Sequence, residues 1–335
     1  MNVEGRSGSA GSSGRRISLL AVFAILACMG MVVSIMKGSV EILPGEIWQG
    51  LIGNGAGTHE QILRNIRLPR TIVAALVGIN LSLSGAILQG VMKNPLADPH
   101  IIGISSGAGL AGIFIMLMFP EAGWAITPVA FLGAMGAALL IYILAWKNGI
   151  RPIRIILAGV AVSAFLGAGI SALMIFYSDR VHGALMWMIG GLSARSWSHV
   201  DIIWPYAMFG IALAMMGSRH LNILLLGDEI AKGLGLRVEL TRILMTALAA
   251  LLAASAVSVV GLLGFVGLIV PHAARLMIGS DYRFLLPASA LLGAAVVTFS
   301  DTFARTAFTP TELPVGIIMS VLGAPFFLFL LRREL

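Results

Sequence analysis

The chain has 335 residues, of which 58% are hydrophobic and only 11% charged, and its mean hydropathy is +0.97. A soluble domain carries roughly a quarter charged residues and keeps much of its surface wettable, so a soluble enzyme, a disordered chain and a disulfide scaffold are excluded. The net charge of +7 does not indicate nucleic acid, because the basic residues lie between apolar runs rather than in one patch.

Residues 1–16 are rich in Gly and Ser, carry Arg6, Arg15 and Arg16, and read as a flexible cytoplasmic tail. The run Ile17–Met36 follows, long enough for one crossing of the hydrocarbon layer. It lacks a clear cleavage site and is read as a retained first helix. The single cysteine, Cys28, lies inside it, so no intrachain disulfide is possible.

Further apolar stretches lie at Leu68–Met92, Ile101–Phe119, Trp124–Trp146, Ile153–Tyr177, Val200–Gly217, Ile243–Met277, Phe284–Phe303 and Pro314–Leu331. Both ends of the chain are basic, which places both in the cytoplasm and requires an even number of crossings. Ile243–Met277 is too long for one helix and is interrupted by Gly261, Gly264 and Gly267. Splitting it there predicts ten helices. This topology puts fifteen of the 22 basic residues inside, as the positive-inside rule requires. Arg67, Arg70 and Arg305 are among those left outside. An offset of 172 residues aligns Arg70 with Arg242, Pro99-His100 with Pro271-His272 and Gly107 with Gly279. It suggests an inverted five-helix repeat, an arrangement common in transporters; chance matching is the competing explanation.

Residues 221–242 form the longest polar interruption between the apolar runs. Asp228 and Glu229 open a short helix, where the dipole favours acids, and Gly233 and Gly235 end it. Leu224, Leu225, Leu226, Ile230 and Leu234 give this segment an apolar side. It reads as a helix offered to a cytosolic partner, or else as one lying on the membrane surface.

Six stretches carry a family resemblance: RLPRTIVAALVG (67–78), LSGAILQGVMKNPLADPHIIGISSGA (83–108), ILAGVAVSA (156–164), LLLGDEIAKGLG (224–235), GLLGFVGLIVPHAARLMIGSDYR (261–283) and TELPVGIIMSVLGAPFFLFLL (311–331). In this order they resemble the permease subunits of ABC importers for iron-siderophores, haem and vitamin B12. The resemblance implies an all-α membrane domain over residues 17–335, with ten helices. It also implies a second permease subunit, identical or homologous, two ATPase subunits and an extracytoplasmic substrate-binding protein. It assigns Gly227, Asp228, Glu229, Ala231, Leu234 and Gly235 to the coupling contact with the ATPase. Arg67, Arg70 and Arg305 become docking residues for acidic groups of the binding protein, a role suited to bidentate guanidinium chemistry. Lipid anchoring or internal pairing with Glu60, Asp301 or Glu312 is the competing role. Asn94, Pro95 and Leu96 become part of an inner gate, in a loop stiffened by Pro95 and Pro99; an ordinary connecting turn is the alternative.

The chain has no G-x-x-x-x-G-K-[ST] phosphate loop. ATP and magnesium are therefore expected on a partner subunit, and no cofactor on this chain. The histidines show no metal-ligand spacing, and no nucleophile–base pair is visible. The expected role is a non-catalytic, multi-pass permease of a bacterial cytoplasmic (inner) membrane, surrounded by lipid, importing a ferric siderophore, haem or cobalamin. An ion-gradient-driven carrier is the rival. Such a carrier usually keeps an ionisable group at mid-membrane, and the ten expected spans have none at their centres.

Overall fold

The computed structural model describes residues 8–38, 45, 58–100, 103–147 and 152–334. The described residues contain helices and turns but no strand. The α-helices are α1 (Gly8–Met36), α2 (Thr58–Met92, with a π-helical turn at Leu63–Arg67), α3 (Ile104–Met118), α4 (Ile126–Ala145), α5 (Pro152–Phe176) and α6 (Val181–Ile189). They continue with α7 (Trp197–Leu225), α8 (Asp228–Gly233), α9 (Val238–Val260), α10 (Val266–Ile278), α11 (Tyr282–Thr306) and α12 (Val315–Glu334). Seven are long and apolar enough to cross a membrane, and α3, α10 and α12 are shorter apolar helices. Ten apolar helices therefore form the bundle, while α6 and α8 are short elements at its two ends. Counting crossings puts Gly8 and Glu334 on one face, called here the termini face; the opposite one is the far face.

The structure revises two expectations. First, α1 begins at Gly8, inside the segment read as a flexible tail. Once the apolar run has nucleated a helix, each added residue gains a backbone hydrogen bond at little further cost. Second, the break in the long apolar stretch covers residues 261–265, whereas Gly267 lies within α10. The 172-residue offset holds only in part at the level of elements: Arg70 and Arg242 both lie in the first turns of a long α-helical run. Pro99-His100 sits in a loop and Pro271-His272 inside α10, while Gly107 is helical and Gly279 lies between helices.

Helix α2 is the axis of the bundle. It packs against α7, α9, α10 and α11, and from Pro69 to Met92 nearly every side chain is buried. Glycine makes this density possible: a Cβ on Gly78 would collide with the backbone of Gly293 in α11, and one on Gly85 with the backbone of Gly267 in α10. Small residues let helices approach in this way, and polar side chains then bond across the contact. Asn80 Nδ2 donates to Ser255 Oγ at 2.9 Å, and Ser84 Oγ to the Ala249 carbonyl at 2.6 Å.

Three helix ends meet inside the bundle. The Leu262 amide donates to the Trp187 carbonyl at 3.3 Å, the Gly191 amide to Val260 at 2.9 Å and the Gly316 amide to Gly190 at 3.1 Å. These bonds join the end of α6, the α9–α10 break and the start of α12. Non-helical backbone at this depth is tolerated because protein groups satisfy it. The turns use left-handed φ angles at Gly190 (+81°), Gly261 (+82°) and Phe265 (+67°). At 13 residues, α10 is about 20 Å long and starts beside the middle of α2 rather than at a surface.

Candidate coupling and docking sites

On the termini face, α8 stands between the ends of α7 and α9. Gly227 precedes it with φ +108° and Gly235 follows with φ +82°, backbone states that glycine adopts without strain. The two glycines let a six-residue helix turn out of the bundle and back. Ala231 is fully buried, in one cluster with Leu221, Leu224 and Val238. It anchors the helix and faces away from any docking surface. The opposite side presents Leu226, Ile230 and Leu234, each more than half exposed, together with exposed Glu229.

Asp228 ties this helix to two others. Its Oδ1 accepts from Lys93 Nζ at 2.8 Å and from Arg242 Nη2 at 2.8 Å. Lys93 is the left-handed C-cap of α2, and Arg242 lies in the first turns of α9. Burial by itself pushes the Asp228 carboxyl up. The hydrogen bond from Lys93 and the charges of Arg242 and Lys93 outweigh it, so the group is held below its ordinary value. The sequence singles out Asp228 for this segment but does not connect it to Lys93 or Arg242. Their 135- and 14-residue separations from Asp228 leave no local periodicity to reveal the pairings.

The loop that starts at Lys93 is held by its own side chains. Asn94 Oδ1 accepts from the Leu96 amide at 2.9 Å, and Asp98 Oδ1 from the His100 amide at 2.8 Å. Such Asx turns rigidify a connection. Asn94 and Pro95 border a cavity of about 310 Å³ shared with Gln89, His272 and Arg275; Leu96 lies outside it. Arg275 Nη2 donates to Gln89 Oε1 at 2.8 Å, which links α10 to the end of α2 beside this loop.

On the far face, Arg67, Arg70 and Arg305 are at most 6% exposed. Arg67 Nη1 donates to the carbonyls of Ile35 and Met36 at 2.8 and 2.9 Å. Arg305 Nη2 donates to the Ser34 carbonyl and, at 3.1 Å, to Ser34 Oγ. The last carbonyls of α1 have no intrahelical partner, and a guanidinium there also meets the negative end of the dipole. Arg70 pairs with Asp301 and, through Nη1 at 2.9 Å, with Glu312. Pairing with Asp301 and Glu312 thus describes the contacts of Arg70, whereas Arg67 and Arg305 cap the end of α1. Arg305 lies within α11 rather than beyond its end. Arg195, in the loop before α7, is the member of this cluster that the sequence reading did not single out. Burial and the nearby charge of Arg70 bring its pKa down to about 10.

Among the described residues, a bundle of ten apolar helices with a short exposed helix on one face defines a multi-pass membrane protein. Comparison with known proteins makes the class definite. The FecCD transport family matches residues 23–333, and the chain belongs to that family. It is 39% identical over 96% of both chains to the Fe(3+)-citrate import system permease protein YfmE of Bacillus subtilis. It is 40% identical to the cobalamin import system permease protein BtuC of Halobacterium salinarum, over 95% of this chain and 88% of that one. Among solved structures it resembles a transporter described as of the metal-chelate type in an inward-facing conformation, with a TM-score of 0.85, 28% identity, and 94% and 99% of the two chains covered. The protein is accordingly a transmembrane permease subunit of an ABC importer.

Proposed function

We propose that this permease carries a ferric chelate, with a ferric siderophore as the substrate class, across a bacterial cytoplasmic membrane with both termini inside. ATP hydrolysis is supplied by a separate subunit, and this chain catalyses no covalent chemistry and holds no cofactor of its own. Relatives for ferric citrate and cobalamin support a bulky metal-containing cargo. The permease works as a pair with a second copy or a homologous subunit, and receives cargo from a binding protein at the far face.

The observation that carries the coupling assignment is the anatomy of α8. Gly227 and Gly235 shape its entry and exit, and Ala231 fixes it to the core. Glu229 and Leu234 are exposed and form the contact with the ATPase. Asp228 transmits movement of α8 to the ends of α2 and α9 through Lys93 and Arg242. The loop at Asn94, Pro95 and Leu96 then opens or closes the inner end of the path. The far-face arginines Arg67, Arg70 and Arg305 favour acidic groups on the binding protein through the net positive field of the cluster, which Asp301 and Glu312 offset only in part.

The test is uptake in proteoliposomes holding the permease, its ATPase and a cargo-loaded binding protein. ATP-dependent uptake that ignores proton and sodium gradients is the expected result. Gradient-driven uptake without the ATPase rejects the proposal. A panel of ferric siderophore, ferric citrate, haem and cobalamin, each measured as binding-protein affinity, identifies the cargo.

A further inference from the structure

An apolar slot lies between the C-terminal half of α7 and the N-terminal half of α9. Its volume is about 570 Å³. Leu213, Met245 and Leu248 line its wall, and exposed Met216, Leu240 and Leu244 form its open lips. Gly217 lets the Met245 side chain pack close against α7, since a Cβ there would meet Met245 Sδ at 2.7 Å. Polar lining is confined to the end at the termini face, where His220 and Arg237 stand beside Gly235. Both side chains are exposed. Among the described residues no carboxylate pairs with either: Glu239, the nearest acid in sequence to Arg237, faces Arg242 at 4.0 Å.

The dimensions select an occupant. Leu248 lies ten residues beyond the start of α9 at Val238. That is about 15 Å along the axis, the depth of one hydrocarbon leaflet, half of roughly 30 Å. An apolar slot one leaflet deep, capped by a guanidinium and an imidazole at the headgroup level, matches one acyl chain and the headgroup of an anionic phospholipid. Basic pockets between membrane helices bind such headgroups. A protein helix in the slot would need apolar packing along its length and leave His220 and Arg237 without a purpose. A soluble anion would leave the apolar wall without one.

We propose that the α7–α9 slot is a binding site for an anionic phospholipid of the leaflet on the termini face, with an acyl chain along Leu213, Leu244 and Leu248 and the phosphate on Arg237 and His220. The site adjoins Gly235, the exit of α8. An occupied slot therefore steadies the base of the coupling segment, and its emptying loosens it. The binding claim itself does not depend on the coupling assignment.

The experiment is native mass spectrometry of the full-length permease released from detergent micelles. The probes are phosphatidylglycerol, phosphatidylcholine with the same acyl chains, and glycerol 3-phosphate. Phosphatidylglycerol is expected to be retained about tenfold over phosphatidylcholine, and glycerol 3-phosphate not at all. The double variant Arg237→Glu/His220→Ala is expected to lower phosphatidylglycerol retention to the phosphatidylcholine level. Arg219→Glu, at an exposed position outside the slot, is expected to leave it unchanged. Leu244→Trp narrows the slot and is expected to reduce retention of both lipids. Should that variant not fold, the surface substitution at Arg237 still decides the question. Equal retention of the two phospholipids by the native chain, retention unmoved by the double variant, or binding of glycerol 3-phosphate as strong as that of phosphatidylglycerol would each overturn the proposal.

Discussion

Arg70 of α2 and Asp301 of α11 are 231 residues apart in the chain and share two parallel hydrogen bonds, Nε to Oδ2 and Nη2 to Oδ1, both 2.9 Å. This is the strong bidentate geometry of guanidinium and carboxylate, and it lies where α2 and α11 approach the far face. Both side chains are more than nine-tenths buried. The pair therefore holds two central helices in register.

Asp301→Ala leaves Arg70 buried with Glu312 as its remaining carboxylate. Breaking a buried pair from one side costs about 3–5 kcal/mol, whereas replacing both partners with apolar groups is often near neutral. Thermal unfolding in detergent is expected to drop sharply for the single variant and to recover in Arg70→Met/Asp301→Leu. Arg70→Lys is expected to fall between them, because an ammonium cannot reproduce the fork.

Asp228→Asn tests the tie between the coupling helix and its neighbours. The Lys93 and Asp228 side chains are 31% and 41% exposed, and exposed pairs contribute about 1 kcal/mol or less. Arg242, however, is only 5% exposed and keeps just Glu239 at 4.0 Å as a carboxylate neighbour, so unfolding temperature is expected to fall moderately, through the weakened buried pair. Uptake per ATP hydrolysed, measured in proteoliposomes, is expected to fall well below the native ratio. A native ratio would show that α8 moves the bundle by another route.

Gly85 and Gly136 form a contrasting pair. A Cβ on Gly85 would enter the Gly267 backbone, whereas one on Gly136 would meet nothing within 4 Å. Gly85→Ala is expected to cost about 1–3 kcal/mol through overpacking. Gly136→Ala is expected to be neutral, or to gain up to about 1 kcal/mol from helix propensity. Parallel melting curves of the two variants check this.

Asp281 supplies a pH signature outside the membrane-spanning helices. Hydrogen bonding from Arg283 outweighs burial, and further bonds from Asn222 and the Arg283 amide help bring its pKa down to about 2 from 3.8. A carboxylate with a depressed folded-state pKa contributes stability that is fully present above the unfolded value and lost as pH falls through the folded one. The contribution is therefore intact above about pH 4 and disappears towards pH 2. Unfolding midpoints of the native chain and Asp281→Asn, compared from pH 6 down to pH 2.5, are expected to converge as the pH falls.

The apolar runs located ten apolar helices, seven of them long enough to cross a membrane, because a bilayer leaves the backbone few other ways to satisfy its hydrogen bonds. Local sequence also placed α8, since Gly227 and Gly235 bracket an acidic first turn whatever the rest of the chain does. The helix α6 escaped notice because its nine residues are too short to cross and resemble part of a loop. Its position depends on bonds to Val260, Leu262 and Gly316, far away in the chain. The arginines show the same divide. Their composition signal, cations on the wrong side, was legible, but its meaning rested on which helix ends they reach. Arg67 and Arg305 are bonded to the final carbonyls of α1, and Arg70 to α11. Hydropathy and glycine spacing act over one or two helical turns, so the sequence by itself decided where the long apolar helices lie, though not the short α6 or every helix end. Buried charges find partners across hundreds of residues, so only the packed bundle decided that these arginines bind their own chain, that Asp228 joins three helices, and that α7 and α9 leave a slot one leaflet deep.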